Sequence, residues 1–155
     1  MSLLAGLRFD CFLPRMREQN PDGVYRRIAE HIAPLCGTDV CTLKDIFSTK
    51  EHISPSAVGG KVAIIDVRSS LIKTPVVILG TTEHEVDFHA QDNEAVDIFA
   101  AVVSPTSYGP LHLQRLAAIS RLLRNEELCE ALREARDPDT MSVLMMPTQR
   151  WMSAA

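Results

Sequence analysis

The chain has 155 residues, 46% of them hydrophobic and 23% charged, which fits one globular domain with enough material for a core. A net charge of −4 speaks against a nucleic-acid surface, which needs clustered Lys and Arg. No apolar run reaches the roughly 18 residues that would span a bilayer, and "MSLLAGLRFD" lacks the basic and apolar regions of a signal peptide, so membrane insertion is not expected and a cytoplasmic location is.

In chain order, "LRFDCFL" alternates Leu7, Phe9, Cys11 and Leu13, the period of a half-buried strand. After the turn at Asn20, Val24, Ile28, Ile32 and Leu35 form one helical stripe, with Pro34 near its end. "TDVCTLKDIFSTKEH" predicts a second helix, N-capped by Thr38 or Asp39, with Val40, Leu43, Ile46 and Phe47 on one face. "SPSAVGG" reads as a loop. "KVAIIDV", "PVVILG" and "AVDIFAAVVSP" are β-branched runs suited to strands covered on both faces. The polar "TEHEVDFHAQDNE" separates the last two, with Val86 and Phe88 in a short hairpin strand.

Past Pro110 a helix is expected, with Leu113, Leu116, Ala117, Ser120 and Leu123 at helical spacing. Asn125 caps the next helix, which buries Leu128, Leu132 and Ala135. Asp137-Pro138 opens a last short helix carrying Met141, Leu144 and Met145. Buried strands with helices before and after them predict an α/β sandwich with its sheet covered on both faces. A single domain over 1–147 and a flexible tail over 148–155 complete this division.

Several chemistries lack their residues. His84 and His89 are five apart, the wrong spacing for one helical face or one face of a strand, so no metal site is expected with Glu85. No G-x-S-x-G occurs, and Gly59-Gly60-Lys61 is too short for a phosphate loop. Cys11, Cys36, Cys41 and Cys129 form no C-x-x-C pair and read as reduced thiols, mostly core filler. His31, His52, Arg26, Arg27, Arg121 and Arg124 read as solvated positions. No cofactor is called for.

Asp66 and His112 remain. Asp66 interrupts a strand that otherwise reads as buried, where a bare carboxylate is costly unless it is paired or faces a cleft. His112 opens a helix just past "SPTSYGP", and a strand tip and a helix start can share the sheet edge where ligands bind in α/β folds. Asp66 could equally end its strand by accepting hydrogen bonds from loop amides.

From about Thr38 to Met146 the chain resembles the phosphotransferase-system enzyme IIA domain of the fructose/mannitol and nitrogen-regulatory type. The family's S-T-G-I-G-x-G-V-A-I-P-H-[AG]-[RK] is met by the segment from Ser56 to Arg68. Its V-D-F-x-A-x-D-x-x-P-V-D-L is met by Val86 to Ile98, its L-x-x-P by Val102 to Pro105, and its helix-opening H-L by His112-Leu113. Its L-A-x-[IL]-[SA]-R-L-L-R is met by Leu116 to Arg124. The resemblance implies a three-layer sandwich whose central sheet is mixed, with helices on both faces. It also implies a phosphoryl carrier that receives its group from HPr on the histidine of I-P-H.

Here Asp66 stands at that acceptor position and Ile65 replaces the proline before it. His112 matches the second family histidine, which would stabilise charge beside the acceptor, and Arg68 is a candidate anion stabiliser. A neutral imidazole is nucleophilic near pH 7. A carboxylate attacking an anionic phosphoryl donor needs cations to offset repulsion. Loss of the acceptor with retention of its partner predicts a static charge-assisted pair between Asp66 and His112.

Three functions stand open. The first is a nitrogen-regulatory-type IIA protein that lacks phosphotransfer activity and works by binding HPr or a regulatory target. The second is an active carrier using His112 or Asp66. The third is a structural or oligomerising module on the same scaffold. The sequence leaves the oligomeric state undetermined.

Overall fold

The computed structural model describes residues 7–146. The expected tail, and residues 1–6 and 147 of the expected domain, lie outside them. Chain order is β1 (Cys11–Met16), α1 (Pro21–Cys36), α2 (Val40–Ile53), β2 (Ala57–Gly59), β3 (Val62–Arg68), β4 (Val76–Val86), β5 (Val96–Ser104), a single 3₁₀ turn (Thr106–Tyr108), α3 (Gly109–Leu122), α4 (Glu126–Glu134) and α5 (Pro138–Leu144). The five strands form one sheet in the order β1-β4-β5-β3-β2. β1 runs parallel to β4 and β3 parallel to β5, whereas β4–β5 and β2–β3 are antiparallel, so the sheet is mixed.

Two apolar layers sandwich it. Strand residues alternate between faces, so Ala63, Ile65 and Val67 of β3 join Ile28, Ile32, Leu43 and Phe47 of α1 and α2. Val62 of β3 and Ile98, Ala100 and Val102 of β5 meet Ile119, Leu128, Leu132 and Met141 on the other side. Each wholly buried Ile, Leu or Phe in these layers contributes about 1.5–3 kcal/mol. The three-layer α/β sandwich with a mixed sheet is therefore the architecture of the protein.

Local chemistry sets the helix starts. Asn20, Asp39, Asn125 and Asp137 each accept a backbone N–H three residues on, at 2.7, 2.8, 3.0 and 2.7 Å. Of the two candidate caps for α2, Asp39 serves.

Five elements differ from the sequence expectation. β1 starts at Cys11 because Asp10 Oδ2 accepts the Val77 N–H at 2.9 Å; Leu7 and Phe9 precede the strand. The "SPSAVGG" loop contains the three-residue β2, turned into β3 at Gly60-Lys61, where Asp92 Oδ2 accepts the Gly60 N–H. β4 runs on through His84 and Glu85 to Val86, while Phe88 lies beyond the strand, buried edge-on against Tyr25. In α3 the buried residues are His112, Ala118, Ile119 and Leu122, and Leu113 is exposed. On α1, Cys36 takes the buried place expected of Leu35.

The sheet's borders are irregular. β1 is bulged between Leu13 and Met16, and β2 spans three residues ending at Gly59, whose φ of 92° requires glycine. No helix among the described residues is long and apolar enough to cross a membrane.

Candidate functional site

Asp66 lies on the face of β3 shared with Val62 and Ile64, directed toward α3. β5, the neighbouring parallel strand, ends at Ser104 on the same face. The 3₁₀ turn then brings the chain straight into α3, whose first turn carries His112. Three local decisions thus converge: a strand long enough to bring a carboxylate to its tip, a polar residue ending an apolar strand, and a tight connection into a helix.

His112 is wholly buried, and both its nitrogens are engaged. Nε2 lies 2.5 Å from Asp66 Oδ1 and Nδ1 lies 2.8 Å from Ser104 Oγ. With Asp66 ionised, Nε2–H donates to the carboxylate. Nδ1 then accepts the Ser104 hydroxyl proton in the neutral ring, or donates to Ser104 Oγ in the imidazolium. The serine serves either state, so the imidazole never faces an empty neighbour.

The chain Ser104–His112–Asp66 contains the residue types of a hydrolytic triad, but the access is reversed. Ser104 is wholly buried, whereas the Asp66 side chain is 42% exposed. The end that meets solvent is the carboxylate, and no buried hydroxyl can attack a bound substrate. Asp66 also borders a cleft of about 590 Å³ between α2 and the tip of β3, lined by Ile46, Lys50, Ile53, Arg68 and Leu71 among others. Ile53 and Leu71 are exposed there, beside the cationic side chains of Lys50 and Arg68.

Of the three site residues expected from sequence, Asp66 and His112 meet directly. Arg68 is exposed at the end of β3 and leans toward the start of α3: a methyl placed on Gly109 would lie 3.6 Å from Arg68 Nη1. Ser104 was missed as a site residue, although a polar residue closing a buried nine-residue strand before a proline was a visible signal.

Among the described residues no group of three or more His, Cys, Asp or Glu side chains is placed to hold a metal ion. A larger cavity of about 690 Å³ lies at the other end of β3, beside α4. Of its three lining cations, Lys61 and Arg133 pair with Glu85 and Asp97, at 2.9 and 2.8 Å, and the third is Arg124.

A mixed five-stranded sheet between two helical layers, with a buried imidazole tied to a strand-tip carboxylate, defines a three-layer α/β domain with one polar centre at a sheet edge. Residues 24–145 match the family model described as phosphoenolpyruvate-dependent sugar phosphotransferase system, EIIA 2, and the chain belongs to that family. It is 27% identical over 139 residues to a nitrogen regulatory protein of Bradyrhizobium diazoefficiens, covering 89% of this chain and 91% of that one. It is 25% identical over 134 residues to a nitrogen regulatory protein of Pseudomonas aeruginosa, covering 83% and 87%. Among solved structures, the nitrogen regulatory protein IIA-Ntr of Neisseria meningitidis shares the fold with a TM-score of 0.80 at 15% identity, covering 87% of this chain and 92% of that one.

Proposed function

We propose that this chain is a nitrogen-regulatory-type IIA protein that carries no phosphoryl group and acts by binding a partner protein. In this reading Asp66 occupies the acceptor position of the family motif and presents a fixed negative charge where relatives would present a switchable one. One carboxylate has less charge and fewer acceptor oxygens than a phosphoryl group, so it imitates the phosphorylated form only in part.

The observation that carries the proposal is the double engagement of His112. A phosphoryl carrier needs a nitrogen lone pair open to the donor, and here Nε2 lies against Asp66, Nδ1 against Ser104, and the ring is out of solvent. Asp66 Oδ1 is itself engaged by the imidazole, which lowers its readiness to attack an anionic donor.

The partner belongs at the cleft beside Asp66. Ile53 and Leu71 supply exposed apolar anchors, and Lys50 and Arg68 favour an acidic counter-surface. A solved fold neighbour, enzyme IIA mannitol of Escherichia coli, was determined in complex with phosphorylated enzyme IIB mannitol; it is 13% identical to this chain with a TM-score of 0.71. HPr or a regulatory target fits the same face here. A cytoplasmic working place and a single domain over 1–147 belong to the same reading.

The test is incubation with phosphoenolpyruvate, enzyme I and HPr, followed by intact-mass measurement. The wild-type chain is expected to gain no phosphate, and Asp66→His to gain one acid-labile phosphate. Reversible labelling of the wild type would establish the carrier reading instead, through the half-exposed Asp66 carboxylate.

A further inference from the structure

The cleft beside Asp66 is lined by four consecutive residues, Asp66, Val67, Arg68 and Ser69, across from Ile46 and Ile53 of α2. Side chains of successive strand residues leave opposite faces. Asp66 turns toward α3, whereas Val67 is buried in the layer under α1 and α2. A cavity that touches both, and the residues after them, lies along the edge of β3 and not over one of its faces.

That edge carries an open row. β3 pairs with β5 along its whole length, from Val62 to Arg68, but with β2 only at Val62 and Ala63. The Ile64 N–H reaches the Ser56 oxygen at 2.9 Å on the β2 side, and the Ser69 N–H reaches the Ser104 oxygen at 3.1 Å on the β5 side. Backbone groups alternate between the two sides of a strand, so the N–H and C=O of Asp66 and Arg68 point the way those of Ile64 do. Among the described residues no strand pairs with them there, and no side chain accepts from either N–H. The chain's own β2 does not reach them. It turns away at Ser56, whose N–H is held by Glu51 Oε2 at 3.1 Å, and Pro55 before it has no N–H to give.

The surroundings of the row are equally specific. Ile53 and Leu71, both largely exposed, border the same space. On the α2 wall Lys50 is offset by Asp45. Arg68, on the α3 face of the strand, makes no ion pair among the described residues.

On the partner-binding reading, on which this rests, we propose that the docking element is a short extended peptide segment that adds a strand to the tip of β3. Its backbone supplies the missing partners of Asp66 and Arg68, the source of affinity in strand addition. Its side chains alternate. Those toward α2 are apolar, against Ile46 and Ile53. The one across from Arg68 is acidic, because cross-strand neighbours share a face and opposite charges there attract. The one across from Asp66 is uncharged, since that carboxylate already holds His112 and repels a second.

The experiment is NMR titration of the full chain with the acetylated, amidated peptide Thr-Val-Glu-Val-Thr, which reads the same in either strand direction. Binding is expected with a Kd of about 1 mM or tighter. At about 5 mM peptide, amide exchange at Asp66 and Arg68 is expected to slow about fivefold, while Ile65 and Val67, which face β5, stay within about twofold. N-methylation of the peptide's valines, or of its other residues, tests the backbone bonds. One of these two alternate sets is expected to weaken binding at least about tenfold and the other less than about twofold. Lysine in place of the peptide's glutamate, or Arg68→Gln on the exposed strand end, is expected to weaken it about threefold.

No binding at about 10 mM peptide would overturn strand addition. So would binding that leaves exchange at Asp66 and Arg68 unchanged, or equal sensitivity to the two methylated peptides. Unchanged exchange on binding removes strand addition alone and leaves a partner docked through side chains. Phosphate labelling of the wild-type chain by HPr removes the non-carrier reading and leaves the peptide result as it stands.

Discussion

The Tyr25 hydroxyl donates to Glu51 Oε2 at 2.5 Å, joining α1 to the last turns of α2. Glu51 also accepts the Ser56 N–H at 3.1 Å and the Ser56 hydroxyl at 2.7 Å, so one carboxylate fixes the helix end and the entry to β2. Tyr25→Phe keeps the ring contacts with Phe47 and Phe88 and removes only the hydroxyl. The expected loss in urea unfolding is about 1–2 kcal/mol with unchanged m. Glu51→Leu, which orphans all three donors, is expected to cost more.

The Asp66–His112–Ser104 chain predicts non-additive substitutions. Asp66→Ala leaves Nε2–H of a wholly buried imidazole without its acceptor and is expected to cost about 1–3 kcal/mol, with Asp66→Asn milder because it keeps an acceptor oxygen. Ser104→Ala frees Nδ1. Because both act on one ring, Asp66→Ala with Ser104→Ala is expected to depart from the sum by at least about 0.5 kcal/mol in a double-mutant cycle.

Gly80 sits where β4 passes β1. A Cβ there would lie 3.0 Å from Met16 Cε and 3.2 Å from the backbone oxygen of Leu13. The methionine end can move, but the carbonyl belongs to the β1 ladder. Gly80→Ala is therefore expected to destabilise by about 1–3 kcal/mol through overpacking, seen as a lower Tm. Relief by a companion Met16→Leu would be incomplete.

The thiols give an alkaline signature. Burial, with the Asp10 charge as a smaller cause, pushes the Cys36 thiol from its ordinary 9.0 up to about 12. Burial raises Cys129 as well. Above pH 9 the unfolded chain releases these protons while the folded chain keeps them. Stability is thus fully present below pH 9 and declines as pH rises from 9 toward 12. Urea midpoints across that window should fall, and less steeply in Cys36→Ala. At neutral pH, exposed Cys41 is expected to react with a thiol reagent in the folded protein, and Cys36 and Cys129 only on unfolding.

Much of this arrangement was legible in the residues. Three of the helix caps were expected at or beside the positions that serve, because an Asn or Asp before an apolar stripe satisfies helix amides in any context. The β-branched runs became β3, β4 and β5 because their composition suits nothing but covered strands. The α3 stripe was misplaced because that helix carries leucines around much of its circumference. Its phase is set by the polar His112, turned inward by Asp66 and Ser104, and no count of apolar residues registers that. Tertiary partners also decided β1, where the Asp10 carboxylate displaces the first ladder bond. The bulge of β1 was invisible for the same reason, since a bulge exists only relative to the strand beside it.

The two borders of the sheet limit how this protein can be approached. One is kinked around a proline and an arginine in a left-handed turn, and the other stops after three residues at a glycine. Among the described residues, β1 is broken by its bulge, and beyond β2 only the last residues of β3 lack a strand neighbour on that side, so an incoming extended segment finds no long straight template. Recognition by an added strand is therefore confined to a few positions, and most of what a partner can read on this molecule is side chain.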